Sequence, residues 1–86
     1  MPRFFLHVDD GTQRIEDEEG SALPDLADAH EEALAAARQF WAAAILRQQD
    51  IGTRRFVITD DEGTVLDTVE MDEALPRNLR DRLQGR

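Results

Sequence analysis

The stretch from Pro24 to Arg47 carries the longest helical period in a chain of 86 residues, and two short strand-like runs lie on each side of it. That order limits the fold more than any other feature. Leu26, Ala29, Ala33, Ala37, Phe40 and Ala44 fall on one stripe at 100° per residue. His30, Leu34, Trp41, Ile45 and Gln48 flank the stripe and widen the apolar sector to roughly 160°. Asp28, Glu31, Glu32, Arg38 and Gln39 fall elsewhere, facing water. Alanines in the middle of the stripe let a helix lie close on a sheet, and Phe40 and Trp41 add bulk towards its C-terminal end. Pro24 disfavours a helical Leu23, Asp25 is placed to cap, and Asp28 echoes a capping box. Acids early and arginines late suit the helix dipole. Gly52 is the expected stop after Gln48-Gln49-Asp50.

Arg3 to Val8 alternates as a strand does, with Phe4, Leu6 and Val8 on one face and Phe5 and His7 on the other. Asp9-Asp10-Gly11 reads as a turn, and Thr12 to Asp17 returns as a more polar strand. Glu18 to Leu23 reads as a connector. After the helix, Arg54 to Asp60 alternates again, with Phe56 and Ile58 opposite Arg55, Val57 and Thr59. Asp60-Asp61-Glu62-Gly63 makes a hairpin loop, and Thr64 to Glu70 returns. A short helix from about Leu75 would align Leu75, Leu79 and Leu83 on a narrow stripe among Arg77, Arg80 and Arg82.

The pattern predicts an α+β, β-β-α-β-β domain over residues 1–71, with an arginine-bearing segment over 72–86. Its four-stranded sheet is mainly antiparallel, with one long helix on one face. Strands one and three are the most apolar and belong in the centre, giving the order 2-1-3-4. The order 1-2-3-4 would bury the polar second strand in a parallel pair and is less favoured. One helix covers one face, so Phe4, Leu6, Phe56 and Ile58 should meet it. Phe5, His7, Arg55, Val57 and Thr59 are left on the other face.

Composition removes several chemistries. Cysteine is absent, and with it disulfides, thiolate nucleophiles and zinc–cysteine sites. Lysine is absent too, which excludes Schiff-base chemistry and a phosphate-loop lysine. Ser21 has no nucleophile-elbow glycines around it. Neither Glu16-Asp17-Glu18-Glu19 nor Asp60-Asp61-Glu62-Gly63 has the alternating oxygen ligands of a helix–loop–helix calcium site, and both read as solvated acidic runs. His7 and His30 fall on opposite sides, which argues against a shared metal or acid–base pair. His30 is expected to be a partly buried structural imidazole with a backbone partner, and Trp41 a core or interface anchor.

The net charge is −9, with −10 on residues 1–71 and +1 on 72–86. Such a body repels phosphate backbones and anionic membranes. Only weak, salt-sensitive nucleic-acid contact through Arg77, Arg80, Arg82 and Arg86 is compatible with it. No signal segment or membrane span is apparent, so a cytoplasmic location is the default expectation.

The residues Phe4-Phe5-Leu6-His7-Val8-Asp9-Asp10-Gly11 form an aromatic-aromatic-x-His-x-x-Asp-Gly start. Asp17-Glu18-Glu19-Gly20-Ser21-Ala22-Leu23-Pro24-Asp25 forms an Asp-Glu-x-Gly-x-x-Leu-Pro-Asp lead into the helix. With Phe56-Val57-Ile58-Thr59-Asp60 and Gly63-Thr64-Val65, these motifs give a chain that resembles a family of small bacterial proteins known only as a domain of unknown function. The resemblance spans roughly residues 2–70, and its specific part is the N-terminal half. It implies a fold boundary and no activity.

The functional expectation is therefore a small acidic interaction domain rather than an enzyme, with no cofactor. It would self-associate or dock a protein partner through Phe5, His7, Arg55 and Val57 of the open face, or through Leu75, Leu79 and Leu83. A metal-binding or enzymatic protein using the acidic loops is the remaining alternative.

Overall fold

The structure, a computed structural model, describes residues 1–51 and 54–84, the last four by their backbone only. In chain order the elements are strands β1 (Arg3–Asp9), β2 (Arg14–Ile15) and β3 (Ser21–Ala22), helix α1 (Leu26–Arg47), and strands β4 (Arg55–Thr59) and β5 (Val65–Glu70). A 3-10 turn over Met71–Ala74 and helix α2 (Arg77–Gln84) follow. The strands lie in the order β2-β1-β4-β5, and every neighbouring pair is antiparallel. This is the expected α+β arrangement, with the two apolar strands central.

The structure refines the first hairpin. The expected return strand over residues 12–17 is only two residues long, and a second short strand lies within the expected connector. β2 pairs Val8 and Asp9 of β1, and β3 pairs Arg3 and Phe4 of the same strand. The edge of β1 is thus covered in two pieces with a gap between them.

Both acidic hairpin turns are built on one carboxylate. Asp10 Oδ1 accepts from the Thr12 and Gln13 amides and from the Thr12 hydroxyl. The Gln13 amide, then Thr12, holds the Asp10 carboxyl below its usual range. Asp60 Oδ1 likewise accepts from the Glu62 and Thr64 amides. Each turn has the local side-chain bonding that Asp brings to such positions.

Helix α1 starts where the sequence indicates. Asp25 is extended, and its Oδ1 accepts from the Asp28 amide at 2.9 Å. At the other end Gln48 takes the left-handed conformation at φ 55°, and its amide and that of Gln49 return to Ile45 and Ala44 carbonyls. The stop thus comes before the expected Gly52, which lies outside the described residues. Ala29, Ala33, Ala37 and Ala44 are buried against Phe4, Phe56, Ile58, Val69 and Met71. The apolar sector is narrower than the period suggests, because Ile45 is 70% exposed.

The 3-10 turn closes the helical face. Trp41 Nε1 donates to the Met71 carbonyl at 2.9 Å, and Met71 itself is buried. His30 Nδ1 lies 2.9 Å from Asp67 Oδ2, and its Nε2 lies 3.9 Å from Glu73 Oε1. The expected backbone partner of His30 is thus replaced by a carboxylate of β5. Hydrogen bonding from His30 is the main cause that lowers the Asp67 carboxyl below its ordinary value of 3.8.

The outer edge of β5 is also occupied. The amides of Thr68 and Glu70, two apart and so directed to the same side, donate to Asp67 Oδ1 and Glu73 Oε2.

Candidate functional site

The face of the sheet turned away from α1 carries Phe5, His7 and Asp9 of β1 beside Thr59, Val57 and Arg55 of β4. Thr68 and Glu70 of β5 extend it. In the gap between β2 and β3 the chain crosses this face as a strap over residues 16–20. Asp17 fastens it. Its Oδ2 accepts from the Leu6 amide at 3.1 Å, and its Oδ1 accepts from the Gly20 amide at 3.1 Å. Its own amide donates to His7 Nδ1 at 3.0 Å. Arg3 Nη1 adds a bond to the Glu19 carbonyl at 2.7 Å.

His7 is held on both ring nitrogens. Because Nδ1 accepts from the Asp17 amide, the hydrogen of the neutral ring sits on Nε2 and is donated to Thr59 Oγ1 at 3.1 Å. Phe5 stacks nearly parallel to the His7 ring, at 9° and 6.3 Å between centroids. Glu16 Oε1 lies 3.5 Å from Nδ1.

Gly20 makes the tight crossing possible. Its φ is +70°, and a Cβ there would sit 2.8 Å from Phe5 Cε2 and 2.9 Å from Arg3 Cγ.

Beside the strap an open groove of about 310 Å³ is lined by Phe5, His7, Thr59 and Gly63, with Glu16, Asp17 and Glu18 on one side and Asp60 and Asp61 on the other. Among the described residues no arginine lines it. Among the described residues no group of three or more His, Cys, Asp or Glu side chains is placed to hold a metal ion.

The residues singled out for an interface are therefore not equally available. His7 and Val57 are each 7% exposed, a correction to the reading of this face as simply uncovered. The strap engages His7 directly, while Val57 sits between His7 and Thr68 in the middle of the sheet. Phe5 is half-buried and reaches the groove. Arg55 is half-buried, with Nε 3.2 Å from Glu70 Oε2 at an angle that makes an ion pair and no hydrogen bond. Leu75 is half-buried, Leu79 is exposed, and the side chain of Leu83 lies outside the described residues.

Sequence reasoning missed Asp17, which was absorbed into a solvated acidic run. The signal was present in Asp17-x-x-Gly20, an acid three residues before a glycine, the spacing of a carboxylate-capped turn.

A family model described as Domain of unknown function (DUF6894) matches residues 3–72. The chain belongs to this family. The match runs from the start of β1 into the 3-10 turn and so covers the strap, the groove and α1. No curated protein and no solved structure matches the chain. His7, Asp17, Gly20 and Asp25, members of the two opening motifs, all have structural positions in this chain: strap clasp, tight crossing and helix cap. No helix among the described residues is long and apolar enough to cross a membrane.

Proposed function

We propose that this domain is an interaction module that docks a positively charged segment of a protein partner in the groove beside the strap. The observation that supports this is the lining: an aromatic wall at Phe5 with carboxylates on both sides and, among the described residues, no cation. A guanidinium suits such a place, because its plane stacks on aromatic faces while its edge bonds carboxylates. At about 310 Å³ the groove lies at the bottom of the ~300–1,000 Å³ range of small-molecule pockets, and as an open trough it suits one or two long side chains. The clasped His7 and Thr59 give this site a rigid floor, which lowers the ordering cost of binding.

The test is a charge-matched comparison. A groove variant, Glu16→Gln/Glu18→Gln/Asp61→Asn, is set against Asp28→Asn/Glu31→Gln/Glu32→Gln on α1, which removes the same charge elsewhere. Titrated with an arginine-rich peptide at moderate salt, the groove variant should lose binding and the helix variant should retain it. Equal loss in both would mean that the peptide senses only the net charge, and the groove reading would fall. A Phe5→Glu variant, followed by light scattering, distinguishes docking of a partner from self-association through the same face: a change of mass would point to the latter.

A further inference from the structure

We infer that the positively charged segment that fills the groove is helix α2 of a second copy of this chain. The inference rests on the groove reading above and names the occupant.

Among the described residues α2 has no extended packing on any other element. Arg77, Asn78 and Leu79 are exposed, and Leu79 keeps 46% of its surface open. Arg77 and Arg80 form no ion pair with any described residue. A short amphipathic helix left in this condition is suited to lie in a groove, reading it with residues four apart.

The pattern around α2 matches the groove. At 100° per residue the positions of Leu79 and Leu83 lie 40° apart, and those of Arg80 and Arg82 lie 80° to either side of their midline. Asp81, the one acid of the helix, falls on the opposite side. The groove has the complementary order: Phe5 and His7 between Glu16 and Glu18 on one side and Asp61 on the other, with these three acids exposed. Thr59 pairs with Phe5 on one strand and Val65 on the next, so Val65, 56% exposed, continues the apolar strip. Laid along the rim, α2 sets its leucines over Phe5 and Val65 and offers an arginine to each carboxylate wall. Two bodies of net charge −9 repel, but physiological salt screens that repulsion beyond ~8 Å, whereas the arginine–carboxylate contacts are direct.

The chain's own α2 is rooted away from its own groove. The 3-10 turn before α2 is tied to α1 through Trp41 and the buried Met71, on the other face of the sheet. β5 enters that turn where Glu70 pairs with Arg55, four residues along β4 from Thr59 and so ~13 Å from the groove floor. Only Leu75 and Pro76 link the turn to α2. The groove that α2 can fill is therefore another copy's. Helix and groove are different patches, so the contact is heterologous and either closes by reciprocal exchange or continues from copy to copy.

Sedimentation of the full chain should show a mass that rises with concentration. Arg80→Glu/Arg82→Glu keeps the groove, and Glu16→Gln/Glu18→Gln/Asp61→Asn keeps the helix. Each should weaken self-association about tenfold or more, the size of a hot-spot loss. Mixed together, the two variants should associate again, because one supplies an intact groove and the other an intact α2. The α2 variant should still bind the arginine-rich peptide, which shows that it is folded and that its groove is open. A parent that stays monomeric at all concentrations overturns the inference. So does an α2 variant that associates as the parent does, or a mixture no more associated than its components. In those cases peptide binding that is lost only in the groove variant leaves the groove reading standing with a different partner. Equal loss of peptide binding in the groove and α1 variants overturns both.

Discussion

Asp17 donates its backbone amide to Nδ1 of His7, ten residues earlier, and with its carboxylate takes the Leu6 amide that the interrupted edge of β1 leaves unpaired. One residue therefore fills the gap between two short strands and fixes the tautomer of the histidine beneath it.

Removing that carboxylate should be costly. Asp17→Ala leaves the Leu6 and Gly20 amides without their acceptor in a half-buried place, a loss on the order of 2 kcal/mol. Urea unfolding should show it as a lower midpoint at an unchanged slope. His7→Ala should lose a similar amount, and the double variant should lose less than the sum, because the two residues share one network.

Among the described residues, the three glycines at positive φ should separate into two classes. Gly20→Ala meets both a left-handed backbone and the Phe5 ring, Arg3 stem and Phe4 carbonyl within 3.0 Å, so it should cost about 2–3 kcal/mol. Gly11→Ala and Gly63→Ala meet open space and should cost only the backbone term, about 1 kcal/mol. Thermal melting of the three variants side by side checks the ranking. Equal losses would mean that the strap does not press on Phe5.

Trp41 is the only tryptophan and its indole is tied to the Met71 carbonyl, so its fluorescence reports on the 3-10 turn. Trp41→Phe keeps most of the packing and drops the bond, which should cost about 1 kcal/mol. Met71→Ala should shift the Trp41 emission to the red before the chain unfolds globally.

The His30–Asp67 contact gives a pH dependence of known sign. The folded Asp67 carboxyl lies below its ordinary value of 3.8, so its contribution to stability is present above that pH and is lost as pH falls through the folded value. Asp67→Asn should therefore be less stable than the parent near neutrality, and the difference should narrow in acid. A constant difference from pH 7 to pH 3 would mean that the carboxylate adds nothing through its charge.

The large-scale fold was legible because it depends on period and burial. Alternation in Phe4–Val8 and Phe56–Ile58, and the alanine stripe of α1, led directly to the observed strand order and to which face α1 covers. The details that escaped depend on single side chains bonding to backbone. β3 is two residues long and exists because Gly20 turns the chain back along β1, a matter of φ and close approach rather than hydrophobicity. His7 was placed on the correct face, but its burial depends on a strap that periodicity does not describe. Ile45 was assigned to the apolar sector by its angle on the helix, yet it emerges into solvent while the neighbouring Ala44 is buried in the core.

The occupied edge of β5 has a consequence for how this protein behaves when crowded. A free strand margin is a template on which other chains can add, and proteins blunt it with lysines, prolines or bulges. This sequence has no lysine, and β5 has no proline. Besides the register shift that β5 makes against β4 at Ile58/Thr59, the chain has turned two of its many carboxylates, Asp67 and Glu73, back onto outward amides of the strand. Its abundance of acid thus serves as more than a coat of charge: part of it keeps the sheet finite.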